Sequence, residues 1–116
     1  VFTGSLPHSE AIAHIQAMDI TVMAKSNWYG SPVKIFEYGA LGKVVIAPNN
    51  VPVNDVMDNG IHGLLIEGEA ELLQAFSKLG GNSKLRARLA RNWKQEVLSE
   101  HTWAKVTEKI LSYVEA

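Results

Sequence analysis

Residues Ser26 to Ala47 read SNWYGSPVKIFEYGALGKVVIA, and the order of textures in that stretch decides the fold. A polar loop runs into Gly30-Ser31-Pro32, an amphipathic segment continues to Gly42, and an apolar, β-branched run follows from Lys43 to Ala47. The pattern is loop, helix, buried strand. Ser31 can cap the helix, Pro32 suits its first position, and Gly42 sits where a left-handed C-cap residue belongs. Val33, Phe36 and Ala40 form the expected apolar stripe, with Lys34, Glu37 and Leu41 on an adjoining one. A helix start wrapped in glycine and serine offers unpaired backbone N–H groups and the positive end of the helix dipole, which suit an anion such as a phosphate.

Outward from that stretch, strands and helices alternate. Upstream, Val1 to Gly4 reads as a strand end, Ser5 to His8 as a turn, and Glu10 to Ala17 or Met18 as a helix capped by Ser9. Ile20 to Ala24 is a short buried strand. Downstream, Pro48-Asn49-Asn50 turns the chain into a short helix over Val51 to Asn59, started near Pro52 and stopped by Asn59-Gly60. Asp55 and Asp58 are three apart on it, a spacing open to paired acids; the favoured reading places Asp55 in the first turn, where a carboxylate favours the dipole, and Asp58 in solvent. His62 to Ile66 is a fourth strand. Three helices close the chain. Leu72, Leu73, Phe76 and Leu79 mark the inner face of the first; Leu85, Leu89, Trp93 and Val97, after an Asn82 or Ser83 cap, that of the second. Val106, Ile110, Leu111 and Val114, after a Thr102 cap, mark that of the third, with Trp103 also read as core. This alternation predicts an α/β fold: a Rossmann-like parallel sheet with helices on both faces, followed by C-terminal helices. Ligands of open α/β sheets bind beyond the carboxyl ends of the strands. That edge carries the loops Gly4 to His8, Lys25 to Ser31 and Pro48 to Asn54.

Composition narrows the function classes. The 116 residues fit a single domain, 1–116, and an apolar fraction of 47% supplies a sizeable core. A net charge of -1 gives no broad electrostatic footprint for nucleic acid. The chain has no cysteine, so thiol chemistry and thiolate metal sites are excluded, and a cytoplasmic location fits. No apolar run approaches the roughly 20 residues of a membrane span. Because it opens at Val1, directly on a strand, the chain is read as a piece of a longer protein.

Glu37 needs an explanation at an anion-binding helix start, since a carboxylate repels phosphate. It makes sense facing a hydroxylated neutral group, and a ribose fits: an ionised carboxylate accepts from two vicinal hydroxyls. Lys34 supplies a flexible positive charge for a phosphate or leaving group. The same spacing also suits a weak Lys34–Glu37 pair on a solvated face behind an ordinary cap. His8, His14, His62 and His101 have no metal-ligand spacing and read as surface or loop residues. Lys84, Arg88 and Arg91 form a basic stripe that reads as a solvated face, with weak peripheral contact to anionic lipid headgroups as the alternative. Trp28, in a loop, is a candidate for stacking on a sugar.

The run from Ser31 to Ala47 resembles the signature of retaining, nucleotide-sugar-dependent glycosyltransferases of family four. Val1-Phe2-Thr3-Gly4, Ala17-Met18-Asp19-Ile20, Asp58-Asn59-Gly60-Ile61-His62-Gly63-Leu64-Leu65 and His101-Thr102-Trp103 resemble further elements of that family. The resemblance implies the later portion of the C-terminal, donor-binding domain of a GT-B architecture, whose N-terminal domain binds the acceptor. It implies sugar transfer from a nucleoside diphosphate sugar to an acceptor hydroxyl, of hexosyltransferase type and with retention. Polysaccharide, glycolipid or other glycoconjugate biosynthesis would be the setting, in the cytoplasm or at its membrane face. Glu37 would correspond to the second acid of the family's E-x7-E pattern, which binds the ribose. Tyr29 stands where the first acid, which touches the donor sugar, usually stands. In a subgroup with S-P-x-K-x-x-E-Y, recognition of the sugar and diphosphate would pass to Tyr29, Gly30, Ser31, Pro32, Val33 and Lys34, and the base would lie against Gly4, Leu6 and Pro7. No metal and no cofactor beyond the donor are implied, and the fragment is expected to lack turnover alone. The alternative is a non-catalytic Rossmann-like nucleotide-binding or protein-interaction module.

Overall fold

The β-branched runs and the helices between them assemble as parallel strands require, each crossover returning the chain to the same edge of the sheet. The computed structural model describes residues 8–23 and 33–115. The order is α1 (His8–Gln16), β1 (Ile20–Val22), α2 (Val33–Ala40), β2 (Val44–Pro48), α3 (Val51–Asn54), β3 (Leu64–Ile66), α4 (Gly68–Gly80), α5 (Ser83–Glu100) and α6 (Trp103–Glu115). The strands pair in parallel in the order β1-β2-β3, with Thr21 opposite Val45 and Ala47 opposite Leu65. The strand expected at Val1 to Gly4 lies outside the described residues.

The pleat of β2 splits the core into two layers. Val45 and Ala47, with Leu65 of β3, pack against Ile35 of α2, Val53 and Met57 around α3, and Trp93 and Val97 of α5. Val44 and Ile46, with Leu64 and Ile66, pack against Ala75 and Leu79 of α4 and Leu89 of α5. Helices therefore cover both faces. The long helix α5 joins the two layers, its first half in one and its second half in the other, and passes Gly42 to Val44 at the amino edge of the sheet. It is anchored at its start by Asn82, whose Oδ1 accepts from the Leu85 amide at 3.0 Å. Arg86 then donates to the carbonyls of Leu79 and Gly80, at 2.6 and 3.3 Å, satisfying acceptors that the end of α4 leaves open.

Several expectations are corrected. In α2 the inward line is Ile35 and Gly39, while Ala40 is exposed and Phe36 only half-buried. The helix is turned by about one residue, roughly 100°, from the Val33–Phe36–Ala40 stripe. The reason is steric: a Cβ on Gly39 would lie 2.6 Å from Trp93 Cδ1 and Nε1 and 2.8 Å from Val97 Cγ2, so α5 packs where α2 has no side chain. A hydrophobicity pattern does not register such a gap. Leu73 and Phe76 of α4, and Ile110 and Leu111 of α6, are exposed rather than inward; the side chains of Val33, Trp103, Val106 and Val114 lie outside the description. Asp55 stands at the C-cap of α3, not in its first turn. Finally, α3 is shorter than expected and Asn59-Gly60 turns the chain into β3, which starts at Leu64. Asn59 Oδ1 accepts from the Leu65 amide at 3.1 Å, the Gly60 amide donates to the Gly63 carbonyl at 2.8 Å, and Gly60 has φ +81.

Gly39→Ala would drive a methyl group into the fully buried Trp93 ring, so chemical denaturation should show a loss of about 1–3 kcal/mol of stability. A loss below a few tenths would mean that the α2–α5 contact yields freely.

Candidate functional site

The carboxyl edge is where the strands deliver their polar loops. After β2, the Asn49 amide donates to the Ile66 carbonyl at 2.8 Å, linking this loop to the end of β3. The Asn49 side chain is held at both ends: Nδ2 donates to Glu67 Oε1 at 3.2 Å, and Oδ1 accepts from Asn54 Nδ2 at 2.7 Å. Asn50 caps α3 through Oδ1, which accepts from the Val53 amide at 3.2 Å. Glu67 in turn donates its backbone N–H to Glu71 Oε2 at 3.2 Å, and Gly68, with φ +83, lets the chain enter α4. The loops after β2 and β3 thus form one hydrogen-bonded shelf. Pro48 to Asn54 was expected on the ligand edge; the partnership of Asn49 with Glu67 was not. The signal was available, because both residues directly follow strands.

α2 begins at this same edge, since it follows β1 and descends to the start of β2. Lys34 is exposed in its first turn. Glu37, one turn on, lies about 200° around the helix from Ile35, and so faces away from the core while remaining half-buried. Among the described residues no ion pair joins Lys34 to Glu37, so the weak surface pair is not formed. Its neighbour Tyr38 is half-buried, and burial first and the charge of Glu37 second raise its phenol above the ordinary 10.0. The helix closes as expected at Gly42, φ +75, where the Lys43 amide donates to the Tyr38 carbonyl at 3.0 Å and the Gly42 amide to the Gly39 carbonyl at 2.9 Å. That paired arrangement is a Schellman cap. Tyr29, Gly30, Ser31 and Pro32, the nucleobase candidates Gly4, Leu6 and Pro7, and Trp28 lie outside the described residues, as does the side chain of Val33.

An aromatic group braces α2 from behind. Trp93 Nε1 donates to the Ile35 carbonyl at 2.7 Å, and the Trp93 ring meets Phe36, His62 and His101 at centroid distances of 5.7, 5.6 and 5.9 Å. His62 is not a simple loop residue: its Nδ1 accepts from the Asp58 amide at 3.0 Å, closing the turn before β3. His101 stacks on Phe36 at 5.1 Å; its Nε2 lies 3.4 Å from Glu96 Oε1 but outside hydrogen-bond geometry. Among the described residues no group of three or more His, Cys, Asp or Glu side chains converges as a metal site.

With this arrangement in view, the family model described as glycosyl transferase-like matches residues 1–112. The chain belongs to that glycosyltransferase family. It is 26% identical over 106 residues to an uncharacterized glycosyltransferase of Methanocaldococcus jannaschii, covering 90% of this chain and 27% of that protein. It superposes with a TM-score of 0.75 on the C-terminal domain of a glycosyl transferase group 1 family protein from Francisella tularensis, at 23% identity, covering 89% of this chain and 52% of that one. The chain thus spans about a quarter of the curated relative and about half of the solved domain. Its fold is that of the C-terminal domain of a GT-B glycosyltransferase.

The raised Tyr38 phenol has a stability consequence. The folded protein holds the proton more tightly than the unfolded chain, so this contribution is complete below the unfolded value near 10 and is lost as pH rises through the folded one. Urea unfolding between about pH 9 and 11 should show a steeper alkaline decline for the wild type than for Tyr38→Phe; parallel declines would contradict the assignment.

Proposed function

We propose that this chain is the donor-binding part of a glycosyltransferase that moves a sugar from a nucleoside diphosphate sugar to an acceptor hydroxyl with retention at the anomeric carbon. The observation that carries the reading is the position of Glu37. It stands on the outward face of α2, one turn behind a helix start that opens at the carboxyl edge of a parallel sheet. A carboxylate so placed suits the vicinal hydroxyls of a ribose, each accepted by one oxygen. The diphosphate then lies toward the start of α2, where the dipole and Lys34 meet its charge, and the segment Tyr29 to Val33 takes the sugar end. Gly4, Leu6 and Pro7 take the base.

The chemistry asked of these residues is electrostatic. As the bond between the anomeric carbon and the diphosphate oxygen breaks, negative charge gathers on the leaving group, and backbone N–H groups and cations fixed in advance stabilise it without reorganising. The scheme needs no divalent metal or added cofactor. A separate N-terminal domain binds the acceptor, which belongs to polysaccharide, glycolipid or other glycoconjugate synthesis in the cytoplasm or at its membrane face. The hexosyltransferase character of the reaction rests on the same reading.

Calorimetric titration of the intact protein with UDP, GDP and ADP should reveal one preferred nucleotide. Replacing Glu37 by Ala should weaken it about tenfold to a hundredfold, the worth of losing charge-assisted hydrogen bonds to two hydroxyls. Binding of none of the three, or indifference to Glu37→Ala with the melting temperature unchanged, would favour a non-catalytic module.

A further inference from the structure

The opposite edge of the sheet carries a feature that sugar transfer does not use. Residues 83–95 of α5 contain Lys84, Arg86, Arg88, Arg91 and Lys94 and no acid, in a chain whose other residues hold twelve acids against six bases. Arg86 is turned inward onto the end of α4. The other four are exposed and fall with Ala87 and Leu98 on one face of the helix, opposite Leu89, Trp93 and Val97. None of the four forms an ion pair among the described residues, whereas the acids of α5 are engaged farther along: Glu96 lies against His101 and Glu100 pairs with Lys109 at 3.7 Å.

Beside this face runs a shallow, mainly apolar groove of about 450 Å³, floored by Gly42, Ala87 and Ala90 and flanked by Arg91, Lys94 and Leu98. Leu98 is 52% exposed, and Met18, 43% exposed, lines the adjoining depression together with Lys43, Arg86 and one exposed acid, Asp19. Clustered cations with exposed apolar side chains at their border match the interfacial zone of a bilayer: the cations meet lipid phosphates while their alkyl stems and the apolar residues settle among the glycerol and acyl carbons.

We propose that the exposed face of α5 is a docking surface for an anionic membrane, with Lys84, Arg88, Arg91 and Lys94 contacting lipid phosphate and Leu98 entering the interface. Charge complementarity selects the lipid, and the groove between α5 and Gly42 gives its apolar part a seat. The surface lies at the amino edge of the sheet, so the carboxyl edge stays free for donor and acceptor while the protein is attached.

The test is sedimentation of the intact protein with phosphatidylcholine vesicles, with and without phosphatidylglycerol. Binding should require phosphatidylglycerol and fall sharply between about 0.1 and 1 M salt, as the screening length shortens from about 10 to 3 Å. The double variant Arg88→Gln, Arg91→Gln should lower the partition coefficient roughly 25-fold, about fivefold for each cation removed, with an unchanged melting temperature. Leu98→Ala should weaken binding by a smaller factor that salt does not alter. No dependence on phosphatidylglycerol would overturn the proposal, as would equal binding of the double variant. Retention on immobilised poly-glutamate without vesicle binding would overturn it in favour of an acidic protein partner.

Discussion

The hydrogen bond from the Trp93 indole to the Ile35 carbonyl, made over the bare backbone of Gly39, fixes how α2 sits on the domain. Trp93 is fully buried, so the bond is shielded from water and an unpaired indole N–H there would be costly. One tryptophan thereby sets both the depth and the rotation of α2. Its depth is set by the missing Cβ, and its rotation by the carbonyl that the indole selects. With Ile35 and Gly39 turned inward, Glu37 is necessarily turned outward, one turn behind the start of the helix. The position of the candidate ribose ligand is therefore a consequence of packing on the far side of the same helix.

The parallel sheet divides labour between its ends. At the carboxyl edge, Asn49 ties the loops after β2 and β3 into one shelf through Glu67 and Asn54, which limits the freedom of both. At the amino edge, α5 crosses beneath the strands, and its residues 83–95 present cations and apolar groups without an acid of their own, Asp19 of the adjoining depression being the carboxylate beside them. Both ends depend on α5, because its second half braces α2 while its first half covers the other face with α4. A change in α5 that shifted Trp93 would act on the carboxyl edge through α2, without touching any ligand.

Much of this was legible in the sequence where a residue type has one strong physical reason to stand where it does. Gly42 as a left-handed cap, Asn82 and Thr102 as N-caps, and Leu89, Trp93 and Val97 as a buried line were all foreseen. The rotation of α2 was not, because it follows from the absence of a side chain at Gly39 meeting a large one 54 residues later. Nor were His62, which trades a strand position for a bond to the Asp58 amide, or the exposed Ile110 and Leu111 of α6. Periodicity shows that a helix has an apolar face but not what covers it. At the candidate site the sequence singled out Glu37 and Lys34 by chemistry, yet that Glu37 lies on the outward face of α2, with no ion pair to Lys34 among the described residues, needed the helix to be placed.

The most direct measurement is a thermodynamic cycle between the Glu37 carboxylate and the ribose hydroxyls. The preferred nucleoside diphosphate and its 2′,3′-dideoxy form are each titrated into the intact wild type and the Glu37→Ala variant. If Glu37 holds the ribose, the substitution costs about tenfold or more with the natural nucleotide and close to nothing with the dideoxy form, because the partner is already gone. Equal losses with both would contradict the account and place the effect of Glu37 elsewhere in the domain.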